Sequence, residues 1–241
     1  MELKAGKVLL VCVSPTPTVT AESVTPHTSS VNCLAVCRNG EMCLSGESKG
    51  CVKLWSLMER KEVATFSGHS KSITALLITP NDLLGVSASG DKLINVWDLQ
   101  GKCELLSLAG HNNVSQCLVV STNGQFLYSG DKSGEIKVWD LGEKKEIATL
   151  SGHTDYIACL ALSRDGKLLY SCSKDSTIRT WNSKDNQEIA VLPSSYTALN
   201  FHLLQHEQVC LFHHSKGLIL WDLSTNREIA NMKPPVRLYP T

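Results

Sequence analysis

The chain has 241 residues, 42% of them hydrophobic, enough to bury a sizeable core. Its 23 basic and 23 acidic residues cancel, so the basic excess that marks a nucleic-acid binder is missing and no nucleic-acid partner is expected. No stretch approaches the roughly 20 apolar residues needed to cross a bilayer, so no membrane partner is expected either.

The first element is the short apolar run Val8–Val13. It lacks a basic leader and a small-residue cleavage site, and Pro15 and Pro17 follow it, so it reads as a strand rather than a signal peptide. Beyond it a period takes over. Trp55, Trp97, Trp139, Trp181 and Trp221 are spaced by 42, 42, 42 and 40 residues. His27, His69, His111 and His153 keep the 42-residue step, and Gly68, Gly110 and Gly152 precede the last three. Asn39-Gly40, Asn81-Asp82, Asn123-Gly124 and Asp165-Gly166 repeat in the same phase.

These marks divide the chain into repeats at about 24–65, 66–107, 108–149, 150–192 and 193–232. In the clearest copy, Tyr156–Leu162 alternates in the period-2 manner of a half-buried strand. Asp165-Gly166 forms a hairpin turn, where both residue types tolerate positive φ. Lys167–Ser173, Thr177–Trp181 and Glu188–Leu192 supply three further strands, and no segment offers a helical period. Counting 42 back from Trp55 reaches Val13. Leu9–Val13 and Thr16–Ser23 therefore read as the third and fourth strands of a partial unit over residues 1–23.

Ten cysteines include no C-x-x-C pair, so zinc or redox spacing is absent. Cys33, Cys117 and Cys159 share one repeat position, with Ala75 as the fourth occupant, which points to packing. Free thiols suit a reducing compartment, so cytosol or nucleus is expected.

Four-strand units of this length with G-H and W-D marks resemble the WD40-repeat family over nearly the whole chain. W-D is intact at Trp97-Asp98, Trp139-Asp140 and Trp221-Asp222 and altered to Trp55-Ser56 and Trp181-Asn182. The resemblance implies an all-β WD40-type β-propeller with five four-stranded blades and an N-terminal half blade. Only nine residues, three of them proline, follow Met232. Two alternatives stay open: a piece or shortened form of a longer propeller protein, or an open ring with edges free to pair with another chain.

The resemblance also implies a structural chain of Trp, Ser, His and Asp in each blade. It falls on His69, Ser87, Asp91 and Trp97, and on His153, Ser171, Asp175 and Trp181. The third copy has His111, Ser129 and Trp139 but Ser133 at the aspartate position, and the first has Lys49 there, so both are expected to be more loosely tied. In the last copy Ser195 and Ser215 replace the histidine and the aspartate. A catalytic His-Ser-Asp set would occur once with an exposed nucleophile, whereas this one recurs with the repeat. No enzyme activity is expected.

Partner contacts in the family flank the first apolar residue of each inner strand. Carried over, they fall on Ser30, Ser72, Asn113, Tyr156 and Tyr196 before it and on Asn32, Thr74 and Ser115 after it, with turn residues Lys132 and Lys174 beside them. Tyr156 and Tyr196 stand out because tyrosine brings apolar area with a polar tip. The expected function is a scaffold that binds peptides or proteins. The alternative is a recognition or regulatory module of a larger enzyme such as a ubiquitin ligase. The W-D-x-R form of cullin-4 receptors is absent, since Met58, Gln100, Gly142, Lys184 and Ser224 hold the fourth position. No cofactor and no metal are expected: there is no phosphate-binding glycine loop, and His202, His206, His213, His214 and Cys210 lack converging spacing.

Overall fold

The computed structural model describes residues 27–193, 200–203, 209–214, 217–222 and 227–232. Among them there is no helix, and twenty strands form five antiparallel sheets, each a four-stranded meander in chain order. The expected half blade at 1–23, the tail at 233–241, Tyr196, Ser195, His206 and Ser215 lie outside the described residues. The chain divides into two compact units, 1–109 and 110–241.

The first unit holds β1 (Val31–Val36), β2 (Met42–Glu47), β3 (Cys51–Ser56) and β4 (Lys61–Ser67), followed by β5 (Ile73–Ile78), β6 (Leu84–Ser89), β7 (Ile94–Asp98) and β8 (Cys103–Leu108). The second holds β9 (Ser115–Val120), β10 (Phe126–Asp131), β11 (Ile136–Asp140) and β12 (Lys145–Leu150), then β13 (Ile157–Leu162), β14 (Leu168–Ser173), β15 (Thr177–Asn182) and β16 (Glu188–Pro193), and finally β17 (Asn200–Leu203), β18 (Val209–His214), β19 (Gly217–Asp222) and β20 (Arg227–Met232). The two middle strands of each well-described sheet are almost wholly buried, while the fourth is more exposed, as in Cys103–Leu105 and Lys145–Ile147.

Burial of apolar side chains between neighbouring sheets holds each unit together. In the first unit Leu44, Val52, Leu54 and Phe66 of one sheet pack on Ile73, Trp97 and Leu99 of the next. Phe66 and Trp97 rings lie 5.1 Å apart. In the second unit Tyr128, Ile136, Val138 and Leu150 meet Ile157, Leu160, Leu169 and Trp181. Tyr170, Cys172, Ile178 and Leu192 then meet Ile219.

The turns follow from short-range chemistry. At the first hairpin of the first four sheets, the oxygen of Asn39, Asn81, Asn123 or Asp165 accepts the backbone N–H two residues on, at 2.9, 3.2, 3.0 and 3.0 Å. Only the second turn residue takes positive φ: Gly40, Asp82, Gly124 and Gly166, at 58–75°. At the second hairpin that role falls to Gly50, Lys92, Gly134 and Ser176.

Candidate partner-binding end of the sheets

The turns between β2 and β3, β6 and β7, β10 and β11, and β14 and β15 share one end of their sheets with the segments that lead into β1, β5, β9 and β13. This end is built on a buried relay. The indole N–H groups of Trp55, Trp97, Trp139 and Trp181 donate to Ser45, Ser87, Ser129 and Ser171 at 2.6–2.8 Å. The same hydroxyls meet Nε2 of His27, His69, His111 and His153 at 2.5–2.8 Å. Glycine precedes His69, His111 and His153, where a β-carbon on Gly68 or Gly110 would crowd the tryptophan ring and the Glu104 or Glu146 side chain, and one on Gly152 the Arg179 side chain.

The acid that closes the relay comes from two different places. In two sheets it is the turn residue: His69 Nδ1 lies 3.0 Å from Asp91, and His153 Nδ1 lies 2.8 Å from Asp175. In the other two it is the last strand residue, two positions earlier. Glu47 reaches His27 Nδ1 at 2.9 Å, and Asp131 lies 3.3 Å from His111 Nδ1. The positions are exchanged: Ser89-x-Asp91 and Ser173-x-Asp175 against Asp131-x-Ser133, where Ser133 bonds back to Asp131 at 2.8 Å. This corrects the expectation of a loose tie in the first copy; in the third an acid is also present, but it stands at 3.3 Å without a formed hydrogen bond. The missed residues are Glu47 and Asp131, and the available signal was an acid two places upstream of the vacated position.

The carboxylates are held ionised. Burial opposes charge on Asp175, but hydrogen bonds from Thr177, His153 and the Thr154 amide outweigh it and hold the pKa at about 2. Asp91, Asp131 and Glu47 are lowered against burial by the same kinds of donor. Burial lowers the pKa of His153, and its aspartate only partly offsets this.

With the relay acids turned inward, the lysines remain outside, together with exposed Asp155. Lys49, Lys71 and Lys92 in the first unit, and Lys132 and Lys174 in the second, are exposed. The balanced bulk charge therefore does not describe this end, and the expectation of no nucleic-acid partner, which rested on it, is withdrawn.

The expected contact residues divide by register. Ser30 and Asn32 are exposed; Ser72 and Thr74 are partly buried. Asn32 donates to Ser72 Oγ at 2.7 Å, so two of them join adjacent sheets. Tyr156 is half-buried, and the Lys174 ammonium sits 4.8 Å from its ring centroid. Ser115 is fully buried, which removes it from any contact surface. It pairs with Asp131 as Ile73 pairs with Ser89 and Ile157 with Ser173. Ser115 is thus the first inner-strand residue, in the core register, and the expected placement in this copy was off by one. The carbonyls of Ser30, Ser72, Val114 and Tyr156 accept equivalent turn amides, so Val114 replaces partly buried Asn113 as their counterpart. Gln116 replaces Ser115.

Sequence reasoning also passed over a recurring pair on the outer strands. Lys53 meets Glu62 at 2.6 Å, Lys137 meets Glu146 at 2.7 Å, and Arg179 pairs with Glu188. The 42-residue recurrence of Glu62, Glu104, Glu146 and Glu188 was the available signal.

Meandering four-stranded sheets tied by this relay are propeller blades. Residues 19–56, 60–98, 102–140 and 144–182 match the family described as WD domain, G-beta repeat. The chain belongs to the WD40-repeat family, and its fold is the WD40-type β-propeller. It is similar to the crystal structure of the RRP9 WD40 repeats, at 25% identity and a TM-score of 0.79, over 87% of this chain and 65% of that one. It is also similar to the structure of U3-55K, at 25% identity and a TM-score of 0.77, over 87% of this chain and 66% of that one. The chain thus spans just under two thirds of both. Comparison of the sequence with curated proteins gives no match. WD40 propellers generally serve as platforms for protein interaction.

Proposed function

We propose that this chain is a protein-interaction scaffold that captures a peptide or protein partner at the lysine-bearing end of its sheets. One observation carries the reading. Tyr156 presents a half-buried ring under the Lys174 ammonium, and Lys132 is exposed at the equivalent turn of the preceding sheet. Among the described residues neither lysine has a carboxylate partner within ion-pair distance. Such an aromatic platform with a cationic cover combines apolar area, low ordering cost and charge, the properties of an interface hot spot.

The chain is not read as an enzyme. Its repeated His-Ser-Asp sets have the hydroxyls of Ser87, Ser129 and Ser171 wholly excluded from solvent, so none can attack a substrate. Eight of the cysteines, from Cys33 to Cys172, are free thiols, which supports a reducing compartment, cytosol or nucleus.

The test is quantitative capture of partners by the native protein and by Tyr156→Ala and Lys174→Ala. Glu143→Ala, on a turn between β11 and β12, serves as the control. Both test variants should melt like the parent and lose the same partners, while the control keeps them. Undiminished partners on Tyr156→Ala would overturn the reading.

A further inference from the structure

We propose that His111, Asp131 and Glu135 form a divalent cation site at the β10–β11 turn, a site the sequence reading did not expect. One ligand atom from each lies within 4.8 Å of the other two. The His111 and Asp131 side chains are wholly buried. Within this cluster His111 Nδ1, which faces Asp131 at 3.3 Å, and Glu135 Oε2 are buried without a formed hydrogen bond. Buried polar atoms are almost always satisfied, so two unsatisfied atoms in one cluster point to a missing partner.

The sister sheets act as internal controls. The position of Glu135 is held by Cys51, Leu93 and Thr177. The Thr177 hydroxyl lies 3.0 Å from His153 Nδ1, and His27, His69 and His153 hydrogen-bond their acids at 2.8–3.0 Å. His111 alone stands back at 3.3 Å, and it alone has a second carboxylate beside it.

Charge and geometry both fit a cation. Two carboxylates around one imidazole leave a buried excess of negative charge, which is costly unless neutralised. Ligands bound at about 2.0–2.1 Å in a tetrahedron stand roughly 3.3–3.4 Å apart, which is the separation of His111 Nδ1 and Asp131 Oδ2. One nitrogen and two carboxylate oxygens suit Zn²⁺, with water in the fourth position. Asp131 Oδ1 accepts the Ser133 and Glu135 amides, at 2.8 and 3.0 Å, and the Ser133 hydroxyl reaches both carboxylate oxygens at 2.8 Å, so Oδ2 would offer the cation its remaining lone pair. With Nδ1 as ligand the ring proton sits on Nε2 and is donated to Ser129 Oγ at 2.6 Å. That oxygen also accepts from Trp139 at 2.8 Å and has lone pairs for both. The relay thereby fixes the ring as metal-bound imidazoles require.

The test is equilibrium dialysis and calorimetry of metal-stripped protein with Zn²⁺ alone, against Glu135→Gln, Glu135→Leu and His111→Gln. Glu135→Leu installs the residue the β5–β8 sheet already carries, so the fold tolerates it. His153→Gln controls for a histidine outside the site. One Zn²⁺ per chain should bind, raise the melting temperature, and weaken at least about tenfold in both Glu135 variants but not in His153→Gln. Co²⁺ in its place should show visible bands without thiolate charge transfer, which separates the site from the free cysteines. Absence of binding, binding unchanged by both Glu135 variants, or a thiolate signature would overturn the proposal. A zinc-insensitive protein whose His111 is doubly protonated by NMR would show that a proton fills the place instead.

Discussion

The exchanged acid positions predict a rescue. Asp131→Ser removes the acceptor for the Ser133 amide and hydroxyl and the Glu135 amide, and it strips His111 of its facing carboxylate. Hydrogen bonds to a charged group contribute about 1.5–3 kcal/mol each. Relief from burying the wholly enclosed Asp131 carboxylate returns part of that, so the net loss is about 2–4 kcal/mol. At about 2–4 °C per kcal/mol for a chain of this size, the melting temperature falls by roughly 5–15 °C. Adding Ser133→Asp rebuilds the arrangement of Ser89-x-Asp91 and Ser173-x-Asp175, in which the serine hydroxyl accepts the aspartate amide at 3.1–3.2 Å. The double variant should therefore recover to within about 1 kcal/mol of the parent. Calorimetry with a chelator present keeps any divalent cation out of the comparison. A double variant that melts with Asp131→Ser would refute the equivalence of the two turn forms.

Three further outcomes follow from the same geometry. Gly134→Ala should destabilise by about 2 kcal/mol or more, because φ is +90° and a β-carbon would lie 2.6 Å from the His153 carbonyl; Gly166→Ala, strained but in open space, should cost only about 1 kcal/mol in the same urea titration. Acidification should lower stability in two stages. His153 titrates in the unfolded chain near 6.5 but lower in the fold, so its contribution is complete above that pH and is lost as pH falls below it; Asp175 then gives up its contribution as pH falls from 3.8 toward about 2. A melting temperature that rises as pH drops from 7 to 5, or an unchanged slope in His153→Gln, would contradict the first stage. Alkylation of the native protein followed by mass spectrometry should mark exposed Cys103 first and leave Cys33, Cys43 and Cys117 late; burial pushes Cys33 to about 12, Cys43 to about 11 and Cys117 well above the usual thiol range, which keeps their thiolates scarce.

The fold was legible because its signals are local. Asn-Gly hairpins, period-2 strands and a tryptophan in every unit each need only a residue type at a spacing. The site was legible where side-chain identity decides the partner, as in Trp97–Ser87–His69. It was not legible where backbone aim decides. The ladder shifts register at the same place in four sheets, so a strand-end acid at 47 or 131 can face the histidine that a turn acid faces at 91 or 175, and stepping by 42 from the turn acid alone does not find it. Ser115 misled for a related reason. A hydroxyl at a core register looks like a surface residue, and a one-residue slip moves a whole strand face. The inward acids and outward lysines are likewise invisible in a summed charge of zero.

The turn forms carry a consequence for redesign. Gly50 and Gly134 each sit against the backbone of the following sheet, at His69 and His153, and each accompanies a strand-end acid. Lys92 and Ser176 accompany the other form. Grafting an additional copy therefore means transplanting the seven-residue cassette whole, 47–53 or 89–95. A chimera cut so that Lys92 or Ser176 replaces Gly50 or Gly134 would set a side chain against the neighbouring backbone.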